Sequence, residues 1–372
     1  MAETTALNAR VGIVGLTREL ARAHFVQDEH CRECAWRFVD YFVRYAEAHA
    51  QTTPEDLDAL EAERDNLLAA MDVAFAAQDW RSVMRVMGVI GAIPNGLLSL
   101  HGYWDDAIAR GEQAAEAARR AGDESAAARF AGNAASIHCL RGEYDKARET
   151  YLQVLETYRS LNDEQSIAVL LHQLGVIAQQ QGDYAAARAR YAESLEIKKK
   201  LGDQRGIAGT LHQLGMIAQD QGDYAAARAR YAESLEIAKK LGDQSGIAST
   251  LHQLGNIAYL QGDYETARAR YAESLEIKKK LGNQSGIAIT LHQLGNIAYQ
   301  QGDYPTARAR YAESLEIAKK LGDQSGIAIT LHQLGQLAEI DGNKAEATRL
   351  FRESLEIFER LKSPNAAIAR ES

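Results

Sequence analysis

The sequence predicts an all-α solenoid built from antiparallel helix pairs. The first observation is a period of 40 residues, because LHQLG recurs at 171–175, 211–215, 251–255, 291–295 and 331–335. The second is that apolar residues within each copy are spaced three and four apart, which is typical of one helix face. The third is a Gly-Asp pair at most junctions, suited to ending one helix and beginning the next. A fixed period of this length indicates one supersecondary unit stacked on copies of itself.

Each copy is predicted to contain two helices, called A and B here. In the copy at 163–201, Asp163 is the expected N-cap of helix A, and Gly182 suits a positive φ at its end. Asp183 is the expected N-cap of helix B, and Gly202-Asp203 repeats the pair before the next copy. Nothing alternates with period two over a useful length, so no strand is predicted. The apolar stripes consist of Ile167, Leu170, Leu171, Leu174, Ile177 and Ala178 in helix A, and Ala187, Tyr191, Leu195 and Ile197 in helix B.

Composition and charge narrow the class of protein. The chain is 46% hydrophobic and 25% charged, with a net charge of −9, as in an ordinary globular protein. An acidic balance gives no reason to expect a nucleic-acid partner, which requires a basic stripe. No apolar run approaches the length of a transmembrane helix, and the first ten residues lack the apolar core of a signal peptide. Three cysteines are too few for a disulfide framework, so we expect a cytoplasmic protein without a membrane partner or cofactor.

The repeat unit resembles a tetratricopeptide repeat. That family has Leu-Gly in helix A, a Gly-x-Tyr turn, and a small then an aromatic residue in helix B; here these are Leu174-Gly175, Gly182-x-Tyr184, Ala187 and Tyr191. Lys199 stands where the family has a closing proline, and the period of 40 is that of the long-repeat variety. The resemblance covers roughly residues 102–362 and implies a right-handed superhelix.

The N-terminal quarter has a different pattern. RFVDYFVRYAEAHA at 37–50 and LEAERDNLLAAMDVAFAAQDW at 60–80 resemble the segment that joins the nucleotide-binding and winged-helix parts of bacterial STAND-type ATPase regulators to their repeat sensors. The chain carries no GxxxxGK[ST] phosphate-binding loop, so the resemblance implies a sensor or adaptor module without its ATPase part. We therefore expect an N-terminal helical segment at 1–100, a solenoid at 101–362 and a short tail at 363–372.

The copies differ at the positions that line the superhelical groove in the family. In the first full copy these are Val169, His172, Val176, Gln179 and Gln180, and four of the five vary from copy to copy while the apolar core positions do not. One interpretation is that these residues differ because each contacts a different part of a partner. The other is that exposed positions drift freely. Exposed residues of helix B recur unchanged, which argues against free drift. The predicted partner-binding residues are His172, Val176, Gln179, His212, Met216, Gln219, His252, Asn256, Tyr259, Leu260, His292, Asn296, Tyr299, Gln300, His332, Gln336 and Glu339.

The one groove position that does not vary, occupied by His172 in the first full copy, is histidine in all five copies. These histidines form a ladder along the repeats. Three interpretations stay open: a hydrogen bond to the neighbouring helix, a contact to a partner, and metal binding. Metal binding is disfavoured because each unit supplies a single histidine and no carboxylate or cysteine recurs beside it. Tyr259 and Tyr299 are the best single candidates for partner contact, since tyrosine offers a large contact area at modest entropic cost.

Other chemistry is weakly indicated. A lone CxxC at Cys31 and Cys34, with His24 and His30 nearby, is a weak metal or redox signal in a helical segment. No nucleophile–base set or carboxylate pair stands out, so no enzyme is predicted. The last helix B keeps Leu350, Phe351, Leu355 and Ile357, which suggests an open apolar edge available for self-association.

Three functions are consistent with these patterns. The first is an adaptor or scaffold that binds a protein or peptide in the groove. The second is the ligand-sensing module of a STAND-type signalling system. The third is a structural spacer or an idealised repeat protein, which the near-identity of the copies permits.

Overall fold

The structure, a computed structural model, describes residues 29–361, and all regular elements in this range are helices. The predicted all-α class is confirmed. The side chains of Glu29, His30 and Cys31, the whole of His24 and the predicted tail lie outside the described part. The helices are α1 Glu29–Ala48, α2 Pro54–Ala62, α3 Arg64–Ala76, α4 Trp80–Ile90, α5 Leu97–Leu100, α6 Trp104–Arg120, α7 Glu124–Leu140, α8 Tyr144–Ser160, α9 Glu164–Gln180, α10 Tyr184–Leu201, α11 Gln204–Asp220, α12 Tyr224–Leu241, α13 Gln244–Leu260, α14 Tyr264–Lys280, α15 Gln284–Gln300, α16 Tyr304–Leu321, α17 Gln324–Ile340 and α18 Lys344–Arg360.

The helix boundaries follow from the capping residues expected at each junction. Asp223 begins α12 by accepting a hydrogen bond from the backbone N–H of Ala226 at 3.0 Å. Gly222 before it has φ 77° and Gly242 after the helix has φ 67°, a left-handed conformation that glycine adopts without strain. The same arrangement recurs in the other copies, so local sequence sets the alternation of A and B helices.

The chain divides into two compact units, residues 1–181 and 182–372. In the first unit, one hydrophobic cluster extends from Val39 in α1 to Ile137 in α7. The predicted N-terminal segment therefore shares its core with the first helix pair, α6 and α7, although their sequence patterns differ. The boundary at residue 100 stays a prediction.

The second unit stacks four A helices, α11, α13, α15 and α17, each followed by its B helix. In the first three of these pairs, a fully buried tyrosine of helix B packs against a glycine of the A helix, and in the last pair Phe351 takes its place. A Cβ built on Gly255 would lie 2.7 Å from the Tyr271 ring, so no larger residue fits without movement. The hydroxyl of Ser274 on the same B helix donates to the carbonyl of Ala248 at 2.7 Å. The glycine of the Leu-Gly pair and the tyrosine of the motif thus contact each other directly.

Adjacent repeats of the second unit are also linked at the surface. The guanidinium of Arg228 hydrogen-bonds with Gln261, and Arg268 with Gln301, in each case reaching into the following repeat. In the last such pair the acceptor is the carboxylate of Asp341. These exposed contacts repeat because the helices themselves repeat, and pairs of this kind contribute little stability in water.

Candidate functional site: the A-helix face of the second unit

The A helices of the second unit share one outward stripe, which we call the A-helix face. In α13 it consists of Ser249, Gln253, Asn256 and Leu260, whose spacing of four, three and four places them on one side of a helix. Three aliphatic members are largely uncovered: Leu260 is 53% exposed, Ile289 50% and Ile340 44%. The full set comprises Gly209, Gln213, Met216, Asp220, Ser249, Gln253, Asn256, Leu260, Ile289, Gln293, Asn296, Gln300, Ile329, Gln333, Gln336 and Ile340.

The glutamine column of this face was missing from the predicted site. Gln253 lies beside Asn256, and the Asn256 amide nitrogen donates to the Gln253 side-chain oxygen at 2.7 Å. Comparison between copies does not reveal this column, because the glutamine is the same in every copy and that comparison selects positions that vary. The signal that finds it is its position, four residues after the exposed Ser249 and three before Asn256.

A buried tyrosine fixes the direction of these amide hydrogen bonds. The hydroxyl of Tyr271 donates to the side-chain oxygen of Asn256 at 2.6 Å, and Tyr271 is 0% exposed, so its proton has to find an acceptor inside the protein. The oxygen of Asn256 therefore faces inward and its nitrogen faces Gln253. Among the described residues, the Gln253 nitrogen makes no hydrogen bond, which leaves it as an outward donor.

The next repeat contains the same chain of hydrogen bonds. Tyr311 donates to the Asn296 oxygen at 2.7 Å, and the Asn296 nitrogen donates to the Gln293 oxygen at 2.9 Å. Two equivalent amide donors, on Gln253 and Gln293, thus face outward from neighbouring A helices.

The histidine ladder lies beside this face and connects successive A helices. His212 Nδ1 lies 3.3 Å from the Thr250 hydroxyl, and His252 Nδ1 lies 3.3 Å from that of Thr290. His292 makes the same contact with Thr330 at 3.4 Å. Each imidazole also packs at 5.2 Å, centroid to centroid, against the aromatic ring of its own repeat. The hydrogen bond to the neighbouring helix, one of the three interpretations left open by the sequence, is thus present at His212, His252 and His292.

Hydrogen bonds set the tautomer of His252, and burial keeps both His252 and His292 neutral. Thr290 donates to the Gly286 carbonyl at 2.8 Å and accepts from the Lys278 ammonium at 2.9 Å, so His252 has to donate from Nδ1 to the remaining lone pair. Burial and then the charge of Lys278 lower the pKa of His252 to about 3. Burial lowers the pKa of His292 to about 4. These histidines are therefore neutral at physiological pH.

Exposure decides what the ladder can offer a ligand. His252 and His332 are each 9% exposed, so most of each imidazole is out of reach in this structure. Nδ1 of His332 has no hydrogen-bond partner among the described residues, and its Nε2 lies 3.4 Å from the Gln336 amide. The described residues contain no group of three or more His, Cys, Asp or Glu arranged to hold a metal ion.

The predicted tyrosines lie at the margin of the face, next to the turn between helices A and B. The ring of Tyr259 packs at 5.7 Å against Tyr264, and Tyr299 packs at 5.9 Å against Tyr304. Burial raises the pKa of Tyr259, and a hydrogen bond with Gln300 of the next repeat opposes that shift. Both tyrosines are half-buried, so only part of each side chain is accessible.

The other predicted residues divide by exposure. Met216, Gln219 and Gln336 are half-buried, and Glu339 is exposed. The hydroxyl of Tyr231 donates to the Gln219 oxygen at 3.3 Å, which ties that residue to the core. His172, Val176 and Gln179 belong to α9 in the first unit, where all three are half-buried.

The remaining candidates are less favourable. Leu350 is 5% and Phe351 8% exposed, whereas Leu355 and Ile357 are half-buried, and self-association through this edge stays a prediction. Cys34 is exposed, as a residue on α1. No helix of the described part has the length and apolar character needed to cross a membrane.

Known structures show similar folds. BtubC (BKLC) from P. vanneervenii is 21% identical over 59% of this chain and 92% of its own, with a TM-score of 0.53. A Signal Transduction ATPase with Numerous Domains (STAND) protein with a tetratricopeptide repeat sensor, from Pyrococcus horikoshii, is 16% identical with a TM-score of 0.55; the match covers 95% of this chain and 54% of that one. A Rap protein complexed with Competence and Sporulation Factor is 16% identical over 91% of this chain and 96% of its own, with a TM-score of 0.53.

The family is established by sequence. A comparison with curated proteins gives no significant match. The family model of the tetratricopeptide repeat matches residues 126–200, 206–280 and 286–360, which together make up more than half of the chain. Together with the close Gly255–Tyr271 packing described above, this leads to one conclusion: the chain belongs to the tetratricopeptide repeat family.

Proposed function

We propose that this protein is an adaptor that binds a peptide, or a peptide segment of a protein, on the A-helix face of its second unit. The observation that carries the proposal is the exposure of Leu260 and Ile289. Each is about half exposed, on α13 and α15 respectively, whose glycines Gly255 and Gly295 pack against a buried tyrosine on another side of the helix. Both side chains belong to the A-helix face, eleven positions apart within the repeat, and exposed apolar surface rimmed by polar residues is typical of an interaction site.

The comparisons support binding as the general role. Tetratricopeptide repeat proteins are typically adaptors rather than enzymes, and we propose no reaction for this chain. The structurally similar Rap protein is in complex with Competence and Sporulation Factor. A similar fold at 16% identity makes ligand binding a proposal for this chain, and a cytoplasmic location likewise stays a prediction.

A second candidate is the sensing module of a signalling ATPase. It is favoured by the STAND protein, whose match covers 95% of this chain, including the N-terminal helices. In this proposal the A-helix face detects the ligand and the N-terminal helices report it to an ATPase. A partner captured through α1–α5, independently of the A-helix face, would favour this candidate; the spacer alternative is favoured if no partner is found.

The test is affinity capture from the source cell with the full chain and two double variants. The first variant, Leu260→Ser with Ile289→Ser, removes aliphatic surface from the A-helix face. The second, Leu241→Ser with Leu281→Ser, is a matched control at the C-terminal ends of the B helices α12 and α14, where the leucines are 42% and 48% exposed. Both variants should keep the helicity and denaturation midpoint of the wild type, because all four side chains are on the surface.

We expect the wild type and the B-helix control to retain the same partner and the A-helix variant to lose it. Retention by all three proteins would remove the A-helix face from consideration and direct attention to the first unit. Loss only from the B-helix control would assign binding to the other surface of the solenoid.

A further inference from the structure

We propose that the segment bound by the A-helix face is basic, and that its lysine or arginine side chains pair with the carboxylates of Asp220 and Glu339. This inference rests on the function proposed above and specifies the chemistry of the partner.

The first argument is the distribution of charge on the A helices of the second unit. α13 and α15 contain no Asp, Glu, Lys or Arg. α11 ends with Asp220, and α17 carries Glu339 one residue before its end. The one Lys or Arg on these four helices is Arg205, in the first turn of α11 and so at the other end of that helix from Asp220. The C-terminal ends of the A helices therefore carry acidic side chains and no basic ones.

The second argument is that both carboxylates lie where a helix disfavours them. The last turn of a helix has a partial negative charge, which favours a cation there and disfavours an anion. The B helices α10, α12, α14 and α16 follow this rule, since each has two or three lysines in its last turn. Asp220 and Glu339 break it, although Gln300 and Tyr299 occupy the same two positions in another copy. A residue that breaks a local rule without stabilising the fold is expected at a functional site.

The third argument is that neither carboxylate has a counter-charge. Both are exposed, and among the described residues neither side chain makes an ion pair or a hydrogen bond. Partial burial raises the pKa of Asp220, and no cation opposes that shift. Two guanidinium groups reach the ends of the A helices, and both are engaged elsewhere. That of Arg188 hydrogen-bonds with Gln221, and that of Arg308 pairs with Asp341.

The fourth argument is the surface between the two carboxylates. In the two intervening repeats, Tyr259 and Tyr299 occupy the position of Glu339. An aromatic ring attracts a lysine or arginine side chain through its charge and through its aliphatic stem. The imidazoles beside the face are neutral, because burial lowers the pKa of His252 to about 3 and that of His292 to about 4. A basic segment therefore meets aromatic rings and two carboxylates at this end of the A helices.

The experiment is a selection from a display library of random short peptides on the full wild-type chain. Enriched peptides are synthesised, and their dissociation constants are measured at about 0.05 M and about 0.5 M NaCl. They are then measured against the carboxylate variant, Asp220→Asn with Glu339→Gln, and against the A-helix variant of the capture experiment. The matched control is Glu233→Gln with Glu313→Gln, which removes two charges from exposed positions of α12 and α16.

We expect enriched peptides with a net positive charge, whose binding weakens by about tenfold or more in the higher salt. The carboxylate variant should weaken their binding by about fivefold or more, and the matched control by less than about twofold. Neutral or acidic peptides, or basic peptides that bind the carboxylate variant as tightly as the wild type, would overturn the inference; if they still lose affinity for the A-helix variant, the proposed function stands. Peptides that bind the A-helix variant as tightly as the wild type, or no enriched peptide at all, would instead contradict the proposed function.

Thermal melting of the free proteins separates a binding role of the carboxylates from a structural one. Because both are unfavourable at a helix end, the carboxylate variant should melt at the temperature of the wild type or above it. A lower melting temperature would show that the two carboxylates stabilise the fold, and would overturn the inference that they are present for a ligand.

Discussion

The buried seam and the A-helix face of the second unit lie on opposite sides of the same helices, and they vary in opposite ways. The seam, formed in one pair by Gly255, Tyr271 and Ser274, has the same residues in the copies up to residue 320. The A-helix face differs between copies at three of its four positions, from Gly209 to Ser249 to Ile289 at the first, and only its glutamine column is invariant. Residues are fixed where a Cβ does not fit and are free to differ where packing imposes nothing. The residues that distinguish one copy from another are therefore mainly on the exposed side of the A helices.

The largest expected effect is on the seam. Tyr271→Ala removes a ring that is 0% exposed and leaves a cavity between α13 and α14, so we expect a loss of about 3–5 kcal/mol in the free energy of unfolding. Urea denaturation followed by circular dichroism measures it. Tyr271→Phe is the control, because it keeps the ring and removes the hydroxyl that donates to Asn256, and it should cost only about 1 kcal/mol. Equal effects of both variants would mean that the hydrogen bond, rather than the packed ring, stabilises the seam.

The next effect is on the glycine of the seam. In Gly295→Ala the new Cβ lies 2.6 Å from the Tyr311 ring, so the ring or the helix has to shift, and we expect a loss of about 1–3 kcal/mol. Urea denaturation measures this loss as a lower midpoint, with an unchanged slope of the unfolding free energy against urea concentration. A variant as stable as the wild type would show that the helices separate without penalty, and the distinction between seam and face would fail at this position.

The fold could be predicted because its determinants are local and repeated. One short stretch of sequence contains the N-cap Asp223, the positive-φ residue Gly222 and an apolar stripe. The same pattern recurs in the other copies, which supports the assignment of the helices. The shared core of the first unit could not be predicted in this way. It connects Val39 to residues nearly a hundred positions later, and no periodicity links α1 to α7.

The candidate site was predicted only in part, for a related reason. Variation between copies identified Asn256 and Leu260, since exposed positions differ. It passed over Gln253, which is partly exposed and yet invariant, and it gave no partner for His252, because Thr290 lies in the next copy. Hydrogen bonds between repeats depend on how the helices pack, which a single repeat does not encode.

A smaller, pH-dependent effect is expected where the seam tolerates variation. Position 278 is Lys, whereas the copies on either side have Ala238 and Ala318, so Lys278→Ala should fold normally. Burial lowers the pKa of Lys278 from 10.5 to about 8 in the folded protein. Between these two values the unfolded chain binds more protons, so the lysine destabilises the protein below pH 8 and this penalty is relieved as the pH rises toward 10.5.

The difference in unfolding free energy between wild type and Lys278→Ala should therefore shift toward the wild type by on the order of 1–2 kcal/mol from neutral to strongly alkaline pH. Guanidinium denaturation of both proteins at several pH values measures the shift, and taking the difference removes the titration of the tyrosines common to both. A pH-independent difference at position 278 would mean that the ammonium is hydrated in solution rather than buried against Thr290.

The smallest effect is expected on the A-helix face and has the opposite sign. Gly209 lies inside α11, is exposed, and a Cβ built on it meets no atom within 4 Å, so Gly209→Ala should stabilise the chain by about 0.5–1 kcal/mol through the restricted unfolded state. Thermal melting of this variant beside Gly295→Ala tests both sides of one kind of helix with the same chemical change. If the partner binds Gly209→Ala as tightly as it binds the wild type, the glycine at this position reflects drift. If the variant is more stable and binds the partner less tightly, Gly209 is retained for ligand binding at the expense of stability. A loss of stability at Gly209 would contradict the comparison, since it would mean that the face is constrained by folding after all.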